Sequence, residues 1–174
     1  SPGPDPLAIW RKAAELGLPV SCFARSAEHV ADPEFQRLAE ELPEMTLILE
    51  HLAGAYRPQS PESVTAPYQW YKEALTLARL PNTYIKFGGL GEFCVRPMPL
   101  AAQFGFEEVL PLLDMAYEAF GPRRMMWGSD YPPVGAREGY RNSLQGVLEL
   151  PLFQNQEEKD WAFGKTAVQA FKLA

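Results

Sequence analysis

The sequence lacks several features that would assign the protein to a common functional class. No basic run is longer than Arg123-Arg124 and the formal net charge is -6, which argues against nucleic acid as a partner because phosphate binding needs a basic face. No apolar stretch approaches the length of a membrane span, so we expect no membrane partner. Neither GxGxxG nor GxxxxGK[ST] follows any predicted strand, which removes support from the common nucleotide-binding folds.

Cysteine and histidine are both scarce. Cys22 and Cys94 lie far apart and outside CxxC spacing, so we expect free buried thiols and a reducing compartment, the cytoplasm. Of the two histidines, His29 lies in a polar turn, where we expect a solvated side chain. His51 closes an apolar run, and there we favour a functional role over a core histidine bonded to a backbone carbonyl.

The composition is otherwise that of an ordinary globular protein. Hydrophobic residues make up 47% of the chain and charged residues 22%, which are typical fractions. The 174 residues predict a single domain over residues 1–174.

Short apolar runs alternate with stretches of helical character, which predicts a parallel sheet covered by helices. The predicted strand ends, Phe23, His51, Gly88 and Asp130, are separated by 28, 37 and 42 residues, and each gap suits one βα unit. Because such crossovers are right-handed, we expect the strands to be parallel neighbours in chain order. The predicted strands are Leu18–Phe23, Met45–His51, Tyr84–Gly88 and Met125–Gly128. The predicted helices are residues 5–16 with Asp5 as N-cap, 33–42, 67–80, 106–120, 138–148 and 157–173, the last broken near Gly164.

Two architectures fit this α/β pattern: a doubly wound sheet and a (β/α)8 barrel. A whole barrel needs roughly 250 residues, so four strands would be half of one. Both architectures place the active site at the carboxyl ends of the strands. The side chains at those ends are therefore the candidates for function.

Asp130 is the first candidate, since it ends a buried strand. A buried carboxylate is costly unless it is paired, hydrogen-bonded or bound to a metal. The alternative to a functional role for Asp130, to which we give equal weight, is that of a turn or cap residue. Because side chains alternate along a strand, an inward Asp130 predicts that Gly128 and Met126 also face the barrel axis and that Trp127 packs under the helices.

The same alternation applies to the neighbouring strands. An inward His51 predicts inward Leu49 and Leu47. In the third strand, Ile85 and Phe87 suit the helix layer, which turns Tyr84 and Lys86 inward.

Further polar residues near the strand ends have two interpretations each. Glu50 could simply cap the next segment, and Glu92 and Arg96 could form a solvated pair. Lys86 could neutralise a carboxylate or extend towards the lower rim.

Several segments resemble one known family in the right order. FGPRRMMWGSDYP at 120–132 closely resembles the final-strand signature of the amidohydrolase-2 group of the amidohydrolase superfamily. LILEHLAG at 47–54 resembles its sixth strand, NTYIKFGGL at 82–90 its seventh, and FGKTA at 163–167 its terminal helix. The resemblance implies that residues 1–174 are the carboxyl-terminal portion, about four βα units, of an incomplete (β/α)8 TIM barrel.

Most such proteins hydrolyse lactones, amides or C–C bonds, and a few are decarboxylases. In the metal-dependent members, an H-x-H pair on the first strand and the final-strand Asp hold a divalent ion, commonly zinc, which acidifies a bound water. By resemblance, Asp130 is that Asp and takes the proton of the water, and His51 is the sixth-strand His; both are candidate metal ligands. We expect Glu92, Arg96, Lys86 and Tyr131 to bind the substrate.

Two departures leave the metal open: no H-x-H occurs anywhere, and no histidine lies near Phe23, where many members have one on the fifth strand. In a metal-free enzyme, Asp130 would activate water directly, while Arg96 or Lys86 would hold an anionic substrate. The hydrolase interpretation, for a small lactone, cyclic or carboxylated substrate, has two alternatives: a decarboxylase on the same scaffold, and a non-catalytic fragment that acts by binding or association.

The sequence also predicts a partner. The chain opens at Ser1 with three prolines and no initiator methionine, and four strands would leave two open sheet edges. We therefore expect an amino-terminal half, supplied as a separate piece or by a second molecule as in a homo-oligomer, and an inactive chain without it.

Overall fold

The computed structural model describes residues 5, 7–55, 65–94 and 105–173, and within them the chain forms one parallel sheet. Its strands are β1 (Val20–Cys22), β2 (Leu47–Leu49), β3 (Thr83–Gly88) and β4 (Met125–Gly128), paired in the order β1-β2-β3-β4. Each pairing is parallel. The prediction of parallel neighbours in chain order is confirmed.

β1 and β2 are shorter than predicted. β1 ends before Phe23, which is exposed. β2 ends before Glu50 and His51, because the backbone turns sharply there.

Most of the helices cover one side of the sheet. The α-helices, with the His51–Gly54 turn described below, are Ala8–Glu15, Ala27–Ala31, Pro33–Glu41, Gln69–Leu75, Leu110–Phe120, Tyr140–Leu148, Gln156–Asp160 and Thr166–Ala170. Short 3-10 segments at Thr76–Arg79 and Glu107–Val109 extend two of them, and others lie at Leu90–Glu92 and Pro133–Ala136. No helix within the described residues is long and apolar enough to cross a membrane.

Helix boundaries follow local chemistry, and three differ from the prediction. Asp5 does not cap a helix: its Oδ1 accepts a hydrogen bond from Leu7 N–H at 2.9 Å, one turn before the first helix begins at Ala8. The helix predicted from Glu138 begins at Tyr140. The terminal helix does not break at Gly164 but continues through a π-helical segment, Trp161–Lys165.

The π-helical segment explains why the terminal helix stays intact. Its wider turn accompanies the packing of Phe163, whose ring lies about 6 Å from those of Phe87, Trp127 and Phe153. This aromatic cluster fixes the helix against the outer face of β3 and β4.

The two faces of the sheet carry different side chains. Leu47, Leu49, Ile85 and Phe87 belong to the main core under the helices. On the opposite face, Ile48, Tyr84 and Met126 pack together with Ala170 of the terminal helix. The predicted directions of Tyr84, Met126 and Trp127 are confirmed.

The prediction that Leu47 and Leu49 face inward is wrong. The register pairs Ile48 with the inward Tyr84, and partners in a parallel ladder share a face. Alternation therefore points Ile48 inward, and Glu50 as well, because its backbone is still extended and its N–H bonds Cys22 O. His51 lies beyond the end of β2, where alternation no longer applies.

Candidate active site

Both predicted catalytic residues occupy unusual backbone conformations at the carboxyl ends of strands. Asp130, two residues after β4, has φ 54°, and His51, two residues after β2, has φ 47°. The left-handed region costs a non-glycine residue roughly 1–2 kcal/mol. Such strain persists where the surroundings impose it, and it concentrates at functional sites.

The left-handed conformation continues from His51 through Leu52 and Ala53 to Gly54. At Gly54 a Cβ would lie 2.8 Å from the carbonyl oxygen of Ala24, so the loop after β1 requires glycine at this position. The resulting tight turn directs the His51 side chain towards the site even though β2 ends earlier than predicted.

Asp130 and His51 face each other across a short gap. His51 Nε2 lies 3.8 Å from Asp130 Oδ1, and each side chain is 20% exposed. The distance is too long for a hydrogen bond, so a third group can contact both. The ring of Phe23 packs edge-on against His51 at 5.3 Å between centroids.

Arg137 occupies the other oxygen of Asp130. Its Nη2 donates to Asp130 Oδ2 at 3.2 Å, its Nη1 to Glu92 Oε1 at 2.5 Å and its Nε to Glu138 Oε2 at 2.6 Å. Burial alone would lower the pKa of Arg137, but the hydrogen bond and charge of Glu138, the charge of Glu92 and the bond to Asp130 together raise that pKa. Arg137 is therefore a fixed cation.

A second ion pair lies on the inward face. Lys86 Nζ donates to Glu50 Oε1 at 3.0 Å, and Ser21 Oγ donates to the same oxygen. Glu50 makes no side-chain cap of the following turn, so the capping interpretation is wrong. Beside it, burial raises the pKa of the Cys22 thiol and the charge of Glu50 adds to the effect.

These groups surround a small cavity at the strand ends. Its lining consists of Glu50, His51, Lys86, Gly88, Gly128 and Asp130, and it holds about 40 Å³. Glycine is required in its wall at Gly88, where a Cβ would overlap the carbonyl oxygen of Gly128. A Cβ on Gly128 would meet Lys86 Cε at 2.5 Å, so the lysine side chain would have to shift. A cavity this small suits about one water molecule, so a larger substrate would extend to the open side of the sheet.

The chain matches a family model over residues 1–173, and the description of that family is Amidohydrolase. The protein belongs to the amidohydrolase family. The resemblance seen in the sequence is thereby confirmed.

Individual relatives agree with this assignment. The chain is 28% identical over 166 residues to L-fucono-1,5-lactonase from Burkholderia multivorans, covering 94% of this chain and 54% of that protein. Two solved structures share the fold: a zinc-bound amidohydrolase from Burkholderia multivorans (20% identity, TM-score 0.70, covering 94% and 57%) and a probable 2-pyrone-4,6-dicarboxylic acid hydrolase from Acinetobacter baumannii (15%, 0.69, 98% and 58%). The chain spans just over half the length of each.

The structure brings most of the predicted residues of this amidohydrolase together. Asp130, His51 and Lys86 line one cavity, and Glu92 reaches Asp130 through Arg137. Tyr131 is 69% exposed and lies outside the lining of the cavity. Arg96 falls outside the described residues.

Sequence reasoning missed two members of the site, Arg137 and Glu138. Glu138 is almost completely buried, and Gly91 N–H donates to its Oε1 at 3.2 Å. Their only signal in the sequence is position: both lie in the loop after β4, at the active end of the sheet.

The described residues offer a divalent metal two donors. Within them, no group of three His, Cys, Asp or Glu side chains is arranged to hold an ion. His51 Nε2 and Asp130 Oδ1 are a suitable nitrogen–oxygen pair, whereas catalytic zinc usually has three protein ligands. The residues fit one side of a metal site.

Proposed function

We propose that this chain forms the carboxyl-terminal part of a (β/α)8 barrel that hydrolyses a small lactone, with Asp130 activating the attacking water. The observation that supports this is the presentation of Asp130 at the strand ends. One carboxylate oxygen is held by Arg137 and the other faces His51 across 3.8 Å. The lactonase relative supplies the substrate class.

The reaction needs a base that takes a proton from water and an acid that protonates the departing oxygen, and Asp130 fills both roles in turn. The electrophile is the carbonyl carbon of the lactone. Oδ1 of Asp130 accepts a proton from water while the water oxygen bonds to the lactone carbonyl carbon. The tetrahedral intermediate then collapses, the ring C–O bond breaks, and the proton held by Asp130 passes to the departing ring oxygen. The product is the hydroxy acid, and Asp130 is again a carboxylate.

His51 contributes by position. With Nε2 opposite Oδ1, it can donate to or accept from the water held between the two side chains. A bound divalent ion, of which His51 and Asp130 would be ligands, would supply Lewis acidity and a more acidic water.

The charge of the site favours a neutral lactone over a dicarboxylate. The described part of the site holds four carboxylates, those of Asp130, Glu50, Glu92 and Glu138, and two cations, Lys86 and Arg137, each already bonded to a carboxylate. An anionic substrate would meet net negative charge on this side of the cavity. The role proposed for Lys86 is therefore to hold Glu50 beside the substrate.

The test is a hydrolysis screen of the full-length protein that carries this chain. Sugar lactones, including L-fucono-1,5-lactone, are compared with 2-pyrone-4,6-dicarboxylate, and gas release is monitored for decarboxylation. Asp130→Asn keeps the shape of the side chain but removes its basicity, so we expect kcat to fall at least ~10²-fold with little change in Tm.

Asp114→Asn is the matched control, since Asp114 is exposed on the helix Leu110–Phe120, and it should retain full activity. Full activity in Asp130→Asn, or no hydrolysis of any lactone by the wild type, would end the proposal.

A further inference from the structure

We infer that Arg137 is the positioning residue of Asp130: it holds Oδ2 of the carboxylate so that Oδ1 faces His51 and the attacking water. This inference rests on the proposed function, because it assigns Asp130 the part of the base. Arg137 itself contacts the carboxylate and acts through it.

The donors of Arg137 are distributed over three carboxylates. Nη2 bonds Asp130, Nη1 bonds Glu92, and Nε bonds Glu138. A planar guanidinium has its donors in fixed directions, so bonds to Glu92 and Glu138 determine where Nη2 points. Asp130 Oδ2 is therefore held by a guanidinium of its own loop, and Glu92 from the loop after β3 helps to orient that guanidinium.

Glu138 anchors this arrangement. Its side chain is fully buried, and it is bonded both to Arg137 and to Gly91 N–H. Removing one partner of a buried ion pair is strongly destabilising, so separating Arg137 from Glu138 would cost considerable free energy. Glu138 is also more deeply buried than the Arg137 side chain that it orients, which is 20% exposed.

The loop after β3 is shaped around the same carboxylates. A Cβ on Gly89 would lie 2.5 Å from Asp130 Oδ2, and a Cβ on Gly91 would lie 2.5 Å from Glu138 Oε2. Asp130 and Glu138, the two carboxylates that flank Arg137, thus each fit closely against the backbone of a glycine. This fit is an observation independent of the hydrogen bonds.

Arg137 could instead be a binding site for an anionic substrate, but its contacts argue against that role. All three of its nitrogens are already bonded to protein carboxylates. A substrate carboxylate would have to displace one of them. The two roles differ in kinetics: loss of a positioning residue lowers kcat, while loss of a substrate cation raises KM.

The experiment compares Arg137→Ala with Arg141→Ala in the full-length protein on the best lactone found. Arg141 lies on the next helix and bonds Gln145, so its loss should leave the kinetics unchanged. Because small misplacement of a reacting group can cost about 10²-fold, we expect Arg137→Ala to lower kcat by ~10- to 10²-fold with KM within about threefold. Added guanidinium should restore part of kcat, and methylammonium, which lacks the fork of donors, should not.

A double-mutant cycle separates positioning from a merely structural role. In the Asp130→Asn background, Arg137→Ala should cost little further activity, because the two residues act as one unit. Equal losses in both backgrounds, or a raised KM with unchanged kcat, would overturn the inference. If Arg137→Ala does not fold, Glu92→Gln loosens the same guanidinium from a more exposed side, and a kcat equal to wild type would count equally against it.

Failure of the proposed function is distinguishable from failure of the inference. A wild type that hydrolyses no lactone refutes the former. The cycle is then followed by thermal unfolding. A Tm loss from Arg137→Ala that is the same in the wild-type and the Asp130→Asn backgrounds would overturn the positioning contact as well, and a smaller loss in the Asp130→Asn background would support it.

Discussion

The two histidines of the chain provide an internal comparison at the scale of single residues. His51 faces Asp130 and lines the cavity, while His29 is exposed on the short helix Ala27–Ala31. Substitution by asparagine keeps a polar side chain at both positions but removes the position of Nε2, the imidazole nitrogen that faces Asp130 in His51. The difference between the two variants therefore isolates the site.

We expect His51→Asn to lower kcat of the full-length protein by up to ~10²-fold, because the attacking water loses the side chain that positions it opposite Asp130. His29→Asn should be indistinguishable from wild type. Steady-state kinetics on the same lactone measures both. Equal activity of the two variants would remove His51 from the mechanism.

Single residues also differ in how well the sequence predicts their placement in the site. The structure places Asp130 and Lys86 in the cavity lining, as expected from the sequence. Lys86 could be placed there because it alternates with the apolar Ile85 and Phe87 in β3, and Asp130 because it follows the apolar run of β4. The apolar run of β2 carries no such alternation, so placing His51 inward assigned Leu47 and Leu49 to the wrong face. Nothing in the residues His51, Leu52 and Ala53 signals a left-handed turn, since non-glycine residues rarely adopt it.

At the scale of elements, the loop after β3 packs closely against Asp130, which follows β4. Gly89 has φ 61°, and a methyl group there would meet Asp130 Oδ2 at 2.5 Å. Gly121, after the helix Leu110–Phe120, has φ 67° with nothing within 4 Å of the same methyl. The two glycines share backbone strain and differ in what surrounds them.

Gly89→Ala and Gly121→Ala should therefore lose similar stability from the left-handed backbone, about 1–2 kcal/mol, with some further loss at Gly89 from the close contact. Only Gly89→Ala should lower kcat, because its methyl displaces the Asp130 carboxylate. Denaturant unfolding and kinetics on both variants make the comparison. An active Gly89→Ala variant would mean that Asp130 tolerates displacement and that its position is not critical.

Elements also explain why Arg137 and Glu138 escaped prediction. Glu92, Asp130 and Glu138 come from two loops that follow different strands, and their meeting around one guanidinium depends on loop conformations set by tertiary contacts. The sequence predicts that strand ends gather polar residues, but not which ones bond. The strand order, by contrast, follows from the βα rhythm and the crossover rule alone.

At the scale of the whole molecule, β1 and β4 each have a neighbouring strand on only one side within the described residues. Val20 N–H bonds Thr46 O, and Cys22 O accepts from Glu50 N–H, so these two residues of β1 use the β2 side. The backbone groups of Ser21, between them, point to the other side. An exposed strand edge of this kind pairs readily with another strand.

Ser21→Pro removes one N–H from that outer side and leaves the bonds of Val20 and Cys22 to β2 in place. If the complete protein closes a barrel, this N–H pairs with a further strand there, and Ser21→Pro should lower the Tm of the full-length protein by several degrees. In the isolated 174-residue chain no strand of the described residues pairs with this edge. We therefore expect the wild type to self-associate without activity, and Ser21→Pro to reduce that association because proline blunts an edge. Ser21→Ala is the matched control, because it also removes the hydroxyl bond to Glu50 but keeps the N–H.

Thermal unfolding measures the Tm of the full-length protein, and light scattering after size exclusion measures the association of the isolated chain. A lower Tm of the former together with weaker association of the latter identifies an edge that is paired in the full-length protein and open in the isolated chain. An isolated chain that is monodisperse, monomeric and active would show that this edge needs no partner, and the barrel proposal would fall with it.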